Sequence, residues 1–160
     1  MKIGVISDTH LSKPSEELYR LMDVAFKDVS LVLHAGDLTR IGVLDVFSKN
    51  ETMAVYGNMD RPDVTEQLPK KERLTIGKYH IGLIHGWGSP RGIEDRIIDQ
   101  FENVHAIVYG HTHKPANHEK NGVLMFNPGA FSGTFLLGRN RSVGVLMVDN
   151  GGIRGEIVSI

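Results

Sequence analysis

The chain has 160 residues, 41% of them hydrophobic and 23% charged, with 18 basic against 19 acidic side chains and no cysteine. A chain of this size and composition is globular, not disordered, and buries about 68–70% of its unfolded surface in one domain spanning residues 1–160. The net charge of -1 provides no global field to gather nucleic acid or an anionic membrane, and the missing thiols leave nitrogen and oxygen as the only ligands for a metal.

The N-terminus runs directly into the apolar residues Ile3, Val5 and Ile6 without the long apolar core of a signal peptide, and no apolar run approaches the ~20 residues of a membrane span, so a cytoplasmic protein is expected. That first strand stops at Ser7-Asp8-Thr9-His10, which places an Asp and a His at its C-terminal end. Pro14-Ser15-Glu16-Glu17 opens a helix: proline suits a first turn, and the glutamates complement the positive end of the dipole. Leu18, Leu21, Met22 and Ala25 recur at helical spacing and pack that helix on a sheet. Leu31-Val32-Leu33 forms a second strand running into His34-Ala35-Gly36-Asp37. A short helix with Val43, Leu44 and Phe47 inward follows, then a third strand, Met53-Ala54-Val55-Tyr56, ending in Gly57-Asn58-Met59-Asp60. Strands and helices alternating at this spacing imply parallel pairing with right-handed crossovers.

The second half has a different texture. Residues 61–73 are polar and proline-bearing and read as loop, with Lys70-Lys71-Glu72-Arg73 a solvated edge. Leu74-Thr75-Ile76 and Tyr79 to Ile84 form a hairpin around Gly77-Lys78, and its second strand ends in His85-Gly86. Ile93, Ile97, Ile98 and Phe101 trace a third amphipathic helix. The apolar run Ala106 to Tyr109 then delivers Gly110-His111-Thr112-His113. Further strands are expected near Ala116–Glu119, Val123–Phe126, Ser142–Val148 and Ile153–Val158. The mixture predicts an α/β fold: two packed sheets flanked by helices.

Taken singly, a strand-end Asp is often a cap or turn residue, and a strand-end His is often a satisfied structural residue. Here Asp8, His10, Asp37, Asn58, His85, His111 and His113 fall in five strand-end loops, and ligands of open α/β sheets gather at the carboxyl ends of strands. In order, these loops read Asp8-x-His10, Gly36-Asp37, Gly57-Asn58-Met59-Asp60, His85-Gly86 and Gly110-His111-Thr112-His113. The series resembles that of the calcineurin-like metallophosphoesterase superfamily, over residues 1 to about 130, with the fourth motif reversed from Gly-His to His-Gly. Length and the Asn127-Pro128-Gly129 turn make the chain most similar to the small single-domain phosphodiesterases of bacteria and archaea. Those are relatives of a eukaryotic retromer subunit that uses the same fold as a protein-binding scaffold.

Residue by residue, the resemblance implies two divalent metal ions: Asp8, His10 and His113 on the first, Asn58, His85 and His111 on the second, and Asp37 bridging both. Among metals, Mn²⁺ leads Ni²⁺, Fe²⁺ and Zn²⁺. Two such ions ~3.5–4 Å apart share a hydroxide and brace the phosphoryl oxygens for in-line attack on phosphorus. The implied activity is that of a phosphodiesterase acting on a small-molecule or nucleotide diester; a catalytically silent scaffold is the alternative.

Met59 departs from the family's phosphomonoesterases, which carry at this position a His that contacts phosphate and assists the leaving group. A thioether transfers no proton, and losing a general acid costs about 10²–10⁴-fold. His34 and Asp60 are the candidate substitutes; their plainer readings are a packing residue and a hydrogen-bond anchor for a ligand imidazole. Arg61 is either a phosphate grip or a solvated arginine, and Trp87 either walls a substrate pocket or is structural. His80, His105 and His118 match no motif. Gly133 to Leu137 is expected in the core, or alternatively in a subunit contact of a homo-oligomer.

Overall fold

The computed structural model describes residues 1–132 and 141–160; the 133–137 stretch lies outside the described residues. The first five-stranded sheet is built from β1 (Lys2–Ile6), β2 (Leu31–His34), β3 (Glu51–Ala54), β9 (Ser142–Asp149) and β10 (Gly152–Ser159), in the order β10-β9-β1-β2-β3. The second contains β4 (Lys71–Ile76), β5 (Tyr79–Ile84), β6 (Ala106–Tyr109), β7 (Ala116–Lys120) and β8 (Val123–Asn127), in the order β4-β5-β6-β8-β7. Both are mixed: β1, β2 and β3 run parallel, as do β5, β6 and β8, with antiparallel strands at the margins. The protein is an α/β sandwich.

The period of two along each strand sorts the core into layers. Ile3 and Val5 of β1, with Leu31 and Leu33 of β2, face Ile81, Leu83, Val108 and Phe126 of the opposite sheet. The alternate residues Ile6 and Val32 turn outward, beneath Leu18 and Leu21 of α1 (Glu16–Val24) and Val43 and Phe47 of a 3₁₀ helix (Ile41–Phe47). On the far side Ile84, Ile107 and Met125 pack under Ile93 and Ile97 of α3 (Ile93–Ile98). Each sheet carries a glycine where an aromatic ring lies against it: a Cβ on Gly4 would come within 2.8 Å of Phe26, and one on Gly82 within 2.9 Å of Phe101. Phe126 is fully buried between the sheets, and its truncation to alanine costs about 3–5 kcal/mol.

Four local expectations shift. Ser15 caps α1, its hydroxyl accepting from Leu18 N at 3.2 Å, so Pro14 lies before the helix and not in its first turn. The third strand sits two residues earlier than its apolar run, because its register on β2 pairs Leu31 with Glu51 and His34 with Ala54. Val55 and Tyr56 lie past its end, where Tyr56 N is held by Pro69 O. The polar 61–73 stretch is not all loop: Pro62 starts a single turn, α2 (Pro62–Thr65), and β4 begins at Lys71. An edge strand needs only its inward residues apolar, and Leu74 alone is buried in β4, so the polarity of Lys71 to Arg73 misled. Among the described residues no helix is long and apolar enough to cross a membrane.

Candidate metal centre

Parallel strands deliver their carboxyl ends to one side, and the chain after each is stitched to its neighbour: Asp8 N to Gly36 O, His10 N to Asp37 O, Gly110 N to His85 O and Phe131 N to Ser7 O. Asp8, His10, Asp37, His111 and His113 all have left-handed backbone, with φ of 54°, 48°, 57°, 68° and 56°. A non-glycine residue in that region costs about 1–2 kcal/mol, so the fold holds these side chains in place against local preference. The loops also approach so closely that a side chain on Gly57 would fall on Asp37 and His85, and one on Gly110 on Ser7 and Asp8.

Two groups of donors result. The ligand atoms of Asp8, His10 and His113 lie within 4.8 Å of one another, as do those of Asp8, Asp37 and His85. His113 Nε2 is 3.1 Å from Asp8 Oδ1 and 3.4 Å from His10 Nε2. Asp37 Oδ2 stands between the groups, 3.3 Å from His85 Nε2 and 4.0 Å from His10 Nε2. On the rim, His111 Nδ1 faces Asn58 Oδ1 at 2.9 Å, and its ring lies edge-on to that of His85. The structure therefore brings all seven expected residues to one place.

Their supports fix tautomers as well as positions. His85 Nδ1 donates to Ala35 O at 2.7 Å, which turns the lone pair of Nε2 toward Asp37. His111 Nε2 donates to Gly88 O at 2.7 Å, which leaves its Nδ1 lone pair facing Asn58. Ser7 Oγ donates to Asp8 Oδ2 at 2.6 Å, and Met59 N to Asp37 Oδ1 at 2.7 Å. The remaining atoms, Asp8 Oδ1 and His85 Nε2, are buried and make no hydrogen bond among the described residues. A buried acceptor left unmatched is costly, and two of them aimed into one cluster of nitrogen and oxygen donors fit a divalent cation.

The charges respond to this crowding. Burial would raise the Asp37 carboxyl, but the His85 imidazole 3.3 Å away outweighs it and, with Met59 N, holds it below the usual range. His85 is pulled down by burial and, more strongly, up by Asp37 and Asp8, so it titrates above an ordinary histidine. The Asp8 carboxylate, 3.1 Å from its Nε2, raises His113 in the same way.

The two candidate acids behave otherwise. His34 is wholly buried, its Nδ1 accepting from Gly36 N at 3.2 Å and its Nε2 3.2 Å from Thr9 Oγ1. Burial lowers it to about 3, so it is neutral at pH 7. Asp60 anchors backbone rather than a ligand imidazole: Oδ2 accepts from Asp37 N at 3.0 Å and Gly57 N at 2.7 Å, and Oδ1 from Thr39 N at 2.5 Å. Burial raises its carboxyl.

Arg61 is exposed at the start of α2. Lys70 is no mere solvated edge, since its ammonium sits 5.0 Å from the ring centre of Trp87. Together with Tyr56 these two line a recess of about 100 Å³ against Asn58 and His85. His118 pairs with Glu94 on the outer face, and His80 and His105 contact each other away from the centre. Sequence reasoning missed Ser7, Ser132, whose hydroxyl donates to Asp8 O at 2.9 Å, and the role of Asn127, whose amide donates to Gly110 O at 2.8 Å. The Asn-Pro-Gly turn was a signal for Asn127; the two serines carried none.

The chain is similar to known proteins in sequence and fold. A probable metallophosphoesterase of Methanothermobacter thermautotrophicus is 38% identical, with 99% of this chain and 92% of that protein covered. A phosphodiesterase of Methanocaldococcus jannaschii is 27% identical over 83% of this chain and 86% of its own. A predicted phosphoesterase from Streptococcus pneumoniae has the same fold, with a TM-score of 0.76 at 22% identity over 99% of this chain and 88% of that one. So does zinc-complexed Vps29 from Entamoeba histolytica, with a TM-score of 0.72 at 24% identity over 99% of each chain. The calcineurin-like phosphoesterase superfamily domain matches residues 1–151, and the chain belongs to that superfamily.

Proposed function

We propose that this protein is a dinuclear phosphodiesterase. The family supports a metal-dependent phosphoesterase, and the observation that carries the finer reading is the pair of buried atoms Asp8 Oδ1 and His85 Nε2, which make no hydrogen bond among the described residues and cluster with Asp37. Asp8, His10 and His113 would hold one cation and Asn58, His85 and His111 the other, with Asp37, whose Oδ2 faces both groups, between them. When bound, two divalent cations activate a water and neutralise charge on the phosphoryl oxygens during in-line displacement. Mn²⁺ is the leading candidate.

The protein's own groups set the rest. Asp60 locks the loops carrying Asp37 and Asn58 together through three backbone N–H groups. His34 supports the floor from below. We assign neither as the acid for the leaving group: His34 has both ring nitrogens engaged in the interior, and both Asp60 oxygens are committed to backbone. Solvent must then protonate the departing oxygen, which favours diesters with good leaving groups over alkyl monoesters. The recess of Tyr56, Lys70 and Trp87 receives an ester substituent, with Trp87 and Tyr56 offering apolar surface and Lys70 a positive charge. The M. jannaschii relative, called a phosphodiesterase, supports this substrate class.

The scaffold reading draws on the Vps29 neighbour, but a scaffold has no need for seven converging ligands, five of them held in left-handed backbone. The test is to strip the purified protein with chelator, restore Mn²⁺, Ni²⁺, Fe²⁺ or Zn²⁺ singly, and assay a nitrophenyl phosphodiester and a monoester. Hydrolysis restored by metal is expected, faster on the diester. Stoichiometric metal binding without turnover of either ester would establish the scaffold instead.

A further inference from the structure

Extending the dinuclear reading, we infer that Arg96 is a positioning residue for the second metal half-site, acting on His111 through the main chain of residues 87–91. Arg96 lies on α3 and reaches back over the segment that precedes its own helix. Its guanidinium donates to Trp87 O at 2.9 Å, to Ser89 O, and to Arg91 O at 3.2 Å. In the middle of this fork lies Gly88, whose carbonyl accepts the His111 Nε2 proton at 2.7 Å.

The segment needs such a clamp. Gly86, Gly88 and Gly92 have φ of 94°, 77° and 72°, so glycines permit the conformation without enforcing it. Gly88 sits directly beneath the clamp: an added Cβ would lie 3.7–3.9 Å from the guanidinium. Among the described residues the guanidinium donates to carbonyls alone, and the buried Arg96 Nε makes no hydrogen bond. A planar, five-donor group can fork across three carbonyls in this way; a lysine ammonium cannot match that geometry.

The consequence falls on one ligand. The Gly88 carbonyl holds the proton on His111 Nε2 and so presents the Nδ1 lone pair beside Asn58 Oδ1. Supporting partners of this kind are worth about 10–100-fold in metal affinity. The other imidazole at the second ion, His85, takes its orientation from Ala35 O instead, and the first half-site has no contact with the 87–91 segment in the hydrogen bonds described. The effect of Arg96 is therefore confined to one ion.

Trp87 is the only tryptophan of the chain, so its emission reports the clamp directly. The test compares wild type, Arg96→Lys and Arg96→Met, chelator-stripped, with three readouts: Mn²⁺ titration, Trp87 fluorescence, and the His111 imidazole ¹⁵N shifts recorded metal-free above neutral pH. In Arg96→Met the second Mn²⁺ equivalent should weaken about 10–100-fold with the first unchanged, His111 should become a mixture of tautomers, and Trp87 emission should shift. Arg96→Lys should fall between. Retention of a single His111 Nε2–H tautomer in a folded Arg96→Met would overturn the proposal. So would equal weakening of both equivalents, which marks a merely structural arginine. If wild type itself takes up one equivalent only, the dinuclear reading fails, and the His111 tautomer alone decides the role of Arg96.

Discussion

The floor and the rim of the centre are built on different principles. Asp8, Asp37 and His85 are buried at strand ends, and their neighbours are side chains and carbonyls of the sheets themselves. Asn58 is exposed and His111 half-buried, and their contacts are with each other and with a glycine of a long loop. The floor is fixed by the same packing that fixes the fold, whereas the rim depends on single hydrogen bonds. On the proposed dinuclear reading, the ion resting on exposed Asn58 and half-buried His111 is expected to exchange more readily than the one resting on buried Asp8.

The strongest way to break this comparison is to remove the group that belongs to both sides. Asp37→Asn keeps the shape but loses the charge, and Asp37 Oδ2 is the atom turned to both groups. Activity should fall by more than about 10³-fold, the upper range for losing one preorganised electrostatic partner, and binding at both ions should collapse. Metal analysis of that variant showing two tightly held equivalents would end the bridging assignment. Next in size are His113→Ala and His111→Ala, which should strip different ions by more than the about 10–100-fold that a supporting residue costs. Anomalous scattering would show two different peaks lost. The same peak vanishing in both would mean a single-ion centre and no floor–rim division at all.

The strand-end positions were the legible part. Asp8, His10, Asp37, His85, His111 and His113 stand where apolar runs end, and a parallel sheet brings such ends together, so spacing alone placed them side by side. What sequence could not convey was which second partner each residue chooses. Asp60 looked like an imidazole anchor because it follows Gly57-Asn58-Met59, yet it folds back onto three N–H groups made available by the turns at Asp37 and Gly57. His34 looked like a candidate acid because it lies three residues before Asp37, yet β-strand alternation points it into the interior. Register was also hidden: β3 slides to Glu51 because pairing with β2 outranks local hydrophobicity. Arg96, which belongs to none of the motifs, gave no sign of reaching back to Trp87.

His34 also gives the floor a pH signature. Its pKa is about 3 in the folded protein against an ordinary 6.5, so the unfolded chain takes up the proton first as pH falls. Its contribution is complete above 6.5 and is lost progressively toward 3. Between pH 7 and 5 the chelator-stripped wild type should lose about 2 kcal/mol more than His34→Gln, which keeps an acceptor for Gly36 N but does not titrate. His85 and His113 have the opposite sign: raised in the fold by Asp37 and Asp8, their ion pairs stabilise below 6.5 and fade as pH rises through their higher values. The difference between wild type and variant cancels them. Urea midpoints at the two pH values supply the measurement, and parallel losses would show that His34 is not held neutral.

The smallest effect belongs to the outer rim. Met59 is 59% exposed, and only its backbone N–H, donating to Asp37 Oδ1, takes part in the centre. Met59→His leaves that hydrogen bond in place and sets an imidazole where monoesterases of the superfamily carry theirs. Turnover of an alkyl monophosphate should rise, because a poor leaving group needs the proton, while a nitrophenyl diester should be cleaved at the wild-type rate. The gain should stay below the about 10²–10⁴-fold of a positioned acid, since at an exposed site nothing fixes the new ring. Parallel kinetics on both substrates separate the outcomes. Equal wild-type rates on the two esters would mean that a proton donor already serves the centre, and the leaving-group reading of Met59 would fall with it.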